Sequence, residues 1–492
     1  MHGEGSDARA GAGAVAAEPA PADTFSSVLA NKHYRNVLGA QFLSNTGTWM
    51  EMFAIQMFVA ETTKRLDDQG TLGVASQLPV FLLGIFGGLV ADRVDRKRML
   101  VLTQVLAACV AACVAAVTLL RFEDPRTGVR LLFLLSAING CVMAFNFPAW
   151  QVLTPRLVPR HQLLKAITLN GIQFNLARVI GPALAGLILA GAWMYQIGPR
   201  MTATPITVLL AYNAVSFLIV AVVVGTTPRT PAPGASGVSV LGQFKAAAGF
   251  LVRSRGARAV LLAQVLLSML AAPLVRLLSL FVIDVYGLAD KSAERAGGTL
   301  LAVQGIGAVA GGLSLRWVPS WYPKHHFIPL AVAGLGGSIA IFSMTPSLLW
   351  GYAAMALCGF FWLWAFNQSW AAMQLLAPDE MRGRVMAIVT TAGFGATAVG
   401  IFLAGHGGEW LKEREVLSAA GATRLAVAGL AVPLLVAGMA MMIWRVPEVD
   451  GHDPAAMGVP RDRSLWNAIT ARRHRPVARD GSGEGVERAE VP

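Results

Sequence analysis

Three ionisable side chains sit inside long apolar runs, and they are the first place to look for chemistry: Glu51, Arg178 and Arg276. A charge at the centre of a bilayer costs roughly 2.5–3.5 kcal/mol on insertion scales, so each needs a cavity or a partner. A carboxylate such as Glu51 can take up a proton in one environment and release it in another. It can equally be a neutral acid or one half of a fixed ion pair with Arg178. Arg276 either meets an anionic substrate or pairs with an acid that spacing does not identify. Asn146 and Trp150, then Asn367, Gln368 and Trp370 with Trp362 and Trp364 nearby, add amide and aromatic groups at two matching places. Such groups suit a large, partly planar amphipathic ligand, since small-molecule pockets are mainly apolar with a few polar anchors. Tryptophans can also serve only as an interfacial belt.

A second cluster lies in a short polar turn, Gly88-Leu89-Val90-Ala91-Asp92-Arg93-Val94-Asp95-Arg96-Lys97-Arg98. Acids and cations placed so close can pair across a gap between two moving bodies and separate again, or simply anchor the chain at a membrane surface. Little else in the chain could do covalent chemistry. Cys109, Cys113, Cys141 and Cys358 lie in apolar blocks without metal-ligand spacing, so no metal and no other cofactor is expected. No Gly-x-x-x-x-Gly-Lys-Ser/Thr loop for a nucleotide occurs. His406 and Glu409 form the one close His/acid pair of interest, too little for an enzyme.

The elements that carry these residues follow from composition. Of 492 residues 55% are hydrophobic and 14% charged, against roughly 25% charged in soluble domains. About 20 apolar residues cross a bilayer as a helix. On that ruler the spans are 37–60, 72–91, 99–120, 131–153, 166–192 and 204–225, then 258–283, 297–315, 327–344, 349–375, 385–408 and 424–444. The alternating ten-residue strands of an outer-membrane barrel are absent. Flanking these are a disordered N-terminal tail (1–33), a linker (226–257) between bundles 34–225 and 258–445, and a C-terminal tail (446–492). Within the last, Ser464–Ile469 is a short apolar stretch beside Arg472, Arg473 and Arg475. The net charge of +12 is scattered through loops, which argues against nucleic acid. The linker carries Arg229, Lys245 and Arg253 and no acid, so the positive-inside rule places it and both termini in the cytoplasm, with the chain in the cytoplasmic membrane.

The two halves repeat. Ala144-Phe145-Asn146 returns as Ala365-Phe366-Asn367, Leu184-Ala185-Gly186 as Leu403-Ala404-Gly405, and Gly87-Gly88-Leu89 as Gly311-Gly312-Leu313, all at a similar offset. A steady offset indicates an all-α membrane protein of twelve transmembrane helices in two parallel six-helix repeats. Such repeats place a substrate site near the midplane between them.

Gly88, Asp92, Arg93, Arg96 and Lys97 resemble the signature loop of the major facilitator superfamily, with Asp95 where a glycine is usual. The resemblance implies that Asp92 braces against the backbone at Arg382–Arg384 in one conformation, making this loop a gate. Gln41–Met50, Leu78-Pro79 and Ala91-Asp92-Arg93 resemble a narrower branch, the transmembrane secretion effector family, which groups bacterial exporters related to the enterobactin exporter. Asn175, Arg178, Gly181 and Pro182 extend the likeness and resemble a span-five antiporter motif, with Ala177 in place of its first glycine. In the superfamily, spans one, four, seven and ten line the cavity. The cavity candidates are then Asn45, Asn146, Trp150, Arg276, Trp364, Asn367, Gln368 and Trp370.

By resemblance, the chain is expected to export a small organic molecule in exchange for protons, as a monomer in the lipid bilayer, with Glu51 as the coupling carboxylate. An importer, a lysophospholipid flippase or a non-transporting sensor could share the fold.

Overall fold

The computed structural model describes residues 25–120, 122–159, 162–191, 195–198, 201–228, 240–318, 322–378 and 380–444, with 446 and 449. A short helix α1 (Phe25–Ala30) precedes six long ones: α2 (Lys32–Thr63), α3 (Leu66–Arg93), α4 (Arg96–Leu119), α5 (Pro125–Leu157), α6 (Leu163–Leu189) and α7 (Pro205–Gly225). The second half has α8 (Val240–Arg253), α9 (Arg255–Leu270), α10 (Ala272–Asp284), α11 (Asp290–Ser314), α12 (Lys324–Met344), α13 (Leu348–Leu376), α14 (Arg382–Glu413) and α15 (Ala419–Ile443). Spans one to six are α2 to α7, span seven is α9 with α10, and spans eight to twelve are α11 to α15. A two-stranded antiparallel hairpin, Tyr195–Gly198 with Met201–Ala203, decorates the loop before α7.

The polar residues between apolar blocks start these helices. Asn31 accepts from the His33 and Tyr34 amides to cap α2, and Ser418 from Gly421 to cap α15. Asp124 with Pro125 at the first turn opens α5. Each cap satisfies amides that a helix start leaves without internal partners. Asp95 accepts from Lys97 and Arg98 and so starts α4, which explains its presence where a glycine was expected. Outward faces are apolar, with Leu187 (66% exposed) and Val222 (67%) as examples, as lipid-facing surfaces must be. Eleven of the described helical stretches are long and apolar enough to cross a membrane by that measure alone. The remaining span, α2, is diluted by Ser44, Asn45, Thr46, Glu51 and Gln56.

The packing repeats as the sequence does. Helices two and four of each half pair (α3 with α5, α11 with α13), as do three and six (α4 with α7, α12 with α15) and one and five (α2 with α6, α9 with α14). The halves meet through α3 with α14 and α6 with α11, two contacts exchanged by the same pseudo-two-fold relation. Glycines permit that approach. A Cβ at Gly298 would stand 2.7 Å from the Pro182 carbonyl oxygen, and one at Gly405 only 2.6 Å from that of Leu66.

Two details differ from the linear reading. Span seven, expected as one helix over 258–283, breaks at Ala271, because Pro273 in the first turn of α10 brings no amide hydrogen and favours a helix start. Within the expected linker, α8 is a helix whose Ala247 and Leu251, one turn apart, are buried in the core of the second half.

Candidate functional site

A partly open cavity of about 330 Å3 lies between the halves. Trp49 and Met52 (α2), Gln77 (α3) and Phe174, Asn175 and Arg178 (α6) line it from the first half. The second half contributes Ala272, Val275 and Arg276 at the start of α10, Trp362, Leu363, Phe366 and Asn367 (α13), and Thr397 and Ile401 (α14). The break in span seven therefore sits at the cavity, as discontinuous helices do at midplane sites.

Arg178 is buried (8% exposed), with its guanidinium between two tryptophans, 5.5 Å from the Trp49 ring and 5.4 Å from that of Trp362. Its Nη2 donates to Gln304 Oε1 of α11 at 3.2 Å. One side chain of the first half is thus held by two of the second. Phe174 meets Trp49 edge-on at 6.1 Å, and Trp362, Phe366 and Trp370 stack along α13 at one-turn intervals. Arg276 Nη2 reaches Ser76 Oγ at 3.4 Å. With the Gln56 amide turned so that its nitrogen donates to the Val275 carbonyl (2.9 Å), its oxygen accepts from Arg276 Nη1 at 3.2 Å. Among the described residues no carboxylate forms an ion pair with either arginine.

The other expected residues are distributed as follows. Asn175, Arg178, Arg276 and Asn367 converge on the cavity. Gly181 lets α6 approach α2, where a Cβ would stand 2.9 Å from the Thr46 carbonyl oxygen, and Pro182 follows inside the same helix. Asn45 donates to Gln173 at 3.3 Å and ties α2 to α6. Glu51 faces away from the cavity lining and accepts from Asn213 of α7. Asn146 is buried and donates to Thr103 at 2.9 Å, and Trp150 packs with Leu100 and Leu153 inside the first half. Trp364 is buried in the second half, its indole donating to the Gly311 carbonyl and Ser314 Oγ, both at 2.9 Å. Gln368 is half-buried on α13 but is not one of the cavity's lining residues, while Trp370 only continues the aromatic stack. Among the described residues, span four thus supplies no lining residue. Its polar groups are used within its own bundle, and α6 takes its place.

In the signature loop, Gly88 ends near the close of α3, and Lys97 Nζ donates to the Thr227 carbonyl at 2.5 Å, joining α4 to the end of α7. The side chains of Asp92, Arg93 and Arg96, and with them the expected contact to Arg382–Arg384, lie outside the described residues. So does the tail segment Ser464–Ile469.

A second cross-half site was missed in the linear reading. Twelve crossings put the start of α2 and the end of α15 on one side, and the α2–α3 and α14–α15 turns on the other. At that far end Arg65 makes a bidentate pair with Asp67 (2.9 and 2.8 Å) and reaches Glu413 at 2.7 Å and Glu409 at 3.9 Å. Glu409 is buried, accepts from the Leu66 amide at 2.8 Å, and pairs with Lys412 at 3.6 Å. Lys412 Nζ donates to the Lys64 carbonyl at 2.6 Å. Hydrogen bonds to Asp67 and then Glu413 hold the Arg65 guanidinium well above its ordinary range, so it stays charged. Lys64, in the left-handed region at φ 53°, makes the tight turn that presents Arg65. The sequence signal was Arg65 flanked by acids in one far-side turn and Glu409-x-x-Lys412-Glu413 in another. His406, which spacing had put beside Glu409, instead stacks on Phe402 at 4.1 Å.

Comparison with known proteins agrees with this architecture. The enterobactin exporter EntS of Escherichia coli O1:K1 is 25% identical over 409 residues, spanning 82% of this chain and 92% of that protein. Its counterpart in Shigella boydii serotype 18 aligns to the same extent. Among solved structures, the nucleoside transporter NupG matches with a TM-score of 0.67 at 13% identity over 83% of this chain and 100% of that one. The D-xylose–proton symporter matches at 0.62 and 13% identity, over 86% and 99%. The inward-facing, unoccupied form of a bacterial homologue of the human lysosomal transporter Spinster matches at 0.60 and 15%, over 84% and 95%. At those identities the structures establish the fold, that of membrane transporters. Residues 23–474 match the model of the transmembrane secretion effectors, and the chain belongs to that family of major facilitator transporters.

Proposed function

We propose that this protein exports a small organic molecule across the cytoplasmic membrane by alternating access, in exchange for protons. The observation that carries the reading is an aromatic cavity at mid-helix height, lined by both halves, with the halves clamped together at the end away from the termini. The basic linker sets the termini in the cytoplasm, so the clamped end faces outward and the cavity loads from inside. Rocking the halves breaks the clamp, and the cargo leaves. The family relationship to an exporter supports the direction.

For coupling, Glu51 is the carboxylate of choice. It lies two residues from Trp49 and one from Met52, both cavity-lining, while its own side chain engages Asn213. Proton release from energised inverted vesicles, followed with a pH-sensitive dye, tests the whole reading with a panel of siderophores, macrolides, cationic drugs and aromatic acids. At least one compound is expected to discharge the gradient with wild type. With Glu51→Gln that discharge is lost, although affinity for the compound changes less than about twofold because Glu51 does not line the cavity. No response to any compound would overturn export by proton exchange. An unaltered response in the variant would remove Glu51 from the coupling path.

A further inference from the structure

Among the described residues, the cavity holds two guanidinium groups and no acid. None of the residues that line it is acidic, and the partners of Arg178 and Arg276 are neutral oxygens: Gln304 Oε1, Ser76 Oγ and Gln56 Oε1. A guanidinium has five N–H donors, so most remain for a ligand. Two unneutralised cations at mid-membrane depth are costly to hold, and that cost falls when an anion enters. Cationic cargo would meet the opposite effect. Like charges repel, and more strongly where water is excluded.

The walls specify the rest of the ligand. Trp49 and Trp362 flank Arg178, one from each half, and Phe174 and Phe366 complete an aromatic lining. Planar rings stack on such faces and beside a guanidinium plane. Asn367, and the Oδ1 of Asn175, whose amide nitrogen already donates to the Gly171 carbonyl at 2.8 Å, remain to bond hydroxyl or amide groups at the edge. The volume, about 330 Å3, lies at the small end for organic ligands.

Resting on the export reading above, we infer that the cargo is an aromatic organic anion carrying two acidic groups, one held by Arg178 and the other by Arg276. Arg178 reaches the second half through Trp362 and Gln304, so an anion that takes over its free donors binds at the seam where the halves separate. Cationic cargo is excluded by the same charges.

The test is equilibrium binding to the full-length protein in phosphatidylcholine nanodiscs, by calorimetry and quenching of tryptophan fluorescence. Three shape-matched probes differ only in charge: naphthalene-2,6-dicarboxylate, its dicarboxamide and its diamidine. The dianion is expected to bind at least tenfold more tightly than the dicarboxamide, and the diamidine not measurably. Arg178→Gln and Arg276→Gln should each weaken the dianion about tenfold and leave the dicarboxamide within twofold. Arg178→Lys, which keeps the charge without the planar fork, should fall between. A dicarboxamide or diamidine that equals the dianion, a wild type that does not bind the dianion at millimolar concentration, or a double glutamine variant that keeps the preference would each overturn the assignment. Binding is read with no gradient. A dianion that binds through both arginines but is never exported therefore overturns the export reading and leaves the charge class standing.

Discussion

Arg65 and Arg178 are both arginines that join the two halves of the molecule, yet their surroundings are opposites. Arg65 stands at the far end, about a third exposed, among Asp67, Glu409 and Glu413. Arg178 is buried at mid-height between two indole rings and a neutral amide. The first is an internally neutralised contact, complete without any ligand, and suited to hold one conformation closed. The second leaves charge uncompensated, and so leaves work for a ligand to do. A transporter needs both kinds: a seal that opens on its own, and a site that is more stable when occupied. The difference lies in where the acids are, since burial alone would favour pairing at mid-height more than at the rim.

The strongest way to break that comparison is to remove both cavity charges. The double variant Arg178→Gln/Arg276→Gln should lower saturable transport of an aromatic dianion at least a hundredfold. Its thermal midpoint in detergent should hold or rise by a few degrees, because two unpaired charges, each costing roughly 2.5–3.5 kcal/mol on insertion scales, are gone. A fall of several degrees would show the arginines to be structural and the contrast with Arg65 false. Next in size is Glu409→Leu. Removing a buried partner strands Lys412 and the Leu66 amide, and losses of about 3–5 kcal/mol accompany such changes. The far end should then open. Labelling of Ile401→Cys, on a background without the native cysteines, by an impermeant maleimide from that side should rise at least fivefold. An unchanged rate would mean the clamp is decoration. The smallest effect belongs to Glu413→Gln. That carboxylate is 54% exposed, and exposed pairs contribute about 0–1 kcal/mol, so the same labelling should change less than twofold and depend on salt.

Much of this was readable residue by residue. Apolar blocks of about twenty residues give membrane helices because backbone groups in lipid must bond within their own segment. Hence the twelve spans, the repeat and the midplane position of Arg178 and Arg276 all follow from linear pattern. Pro273 is the sequence signal for the break in span seven. Asn146, Trp150 and Trp364 show the limit of reasoning from residue type. Their polar groups looked suited to a ligand, but Thr103, the Gly311 carbonyl and Ser314 lie within reach on neighbouring helices of the same half. Rotation of a helix about its axis decides which face meets the cavity, and an apolar helix surrounded by lipid and protein carries little amphipathic signal to reveal it.

The chain's pattern of apolar blocks, caps and repeated glycines was enough to specify the helices, their number and their pairing into two like halves, since each rests on local hydrogen bonding or on periodic small residues. Which charges are neutralised was settled only by packing across the halves. Arg65 meets Glu409 and Glu413, the latter 348 residues further along the chain, and Glu51 turns to Asn213 rather than to Arg178. Electrostatic pairing depends on distance in space, and the approach of α3 to α14 and of α6 to α11 is what sets those distances.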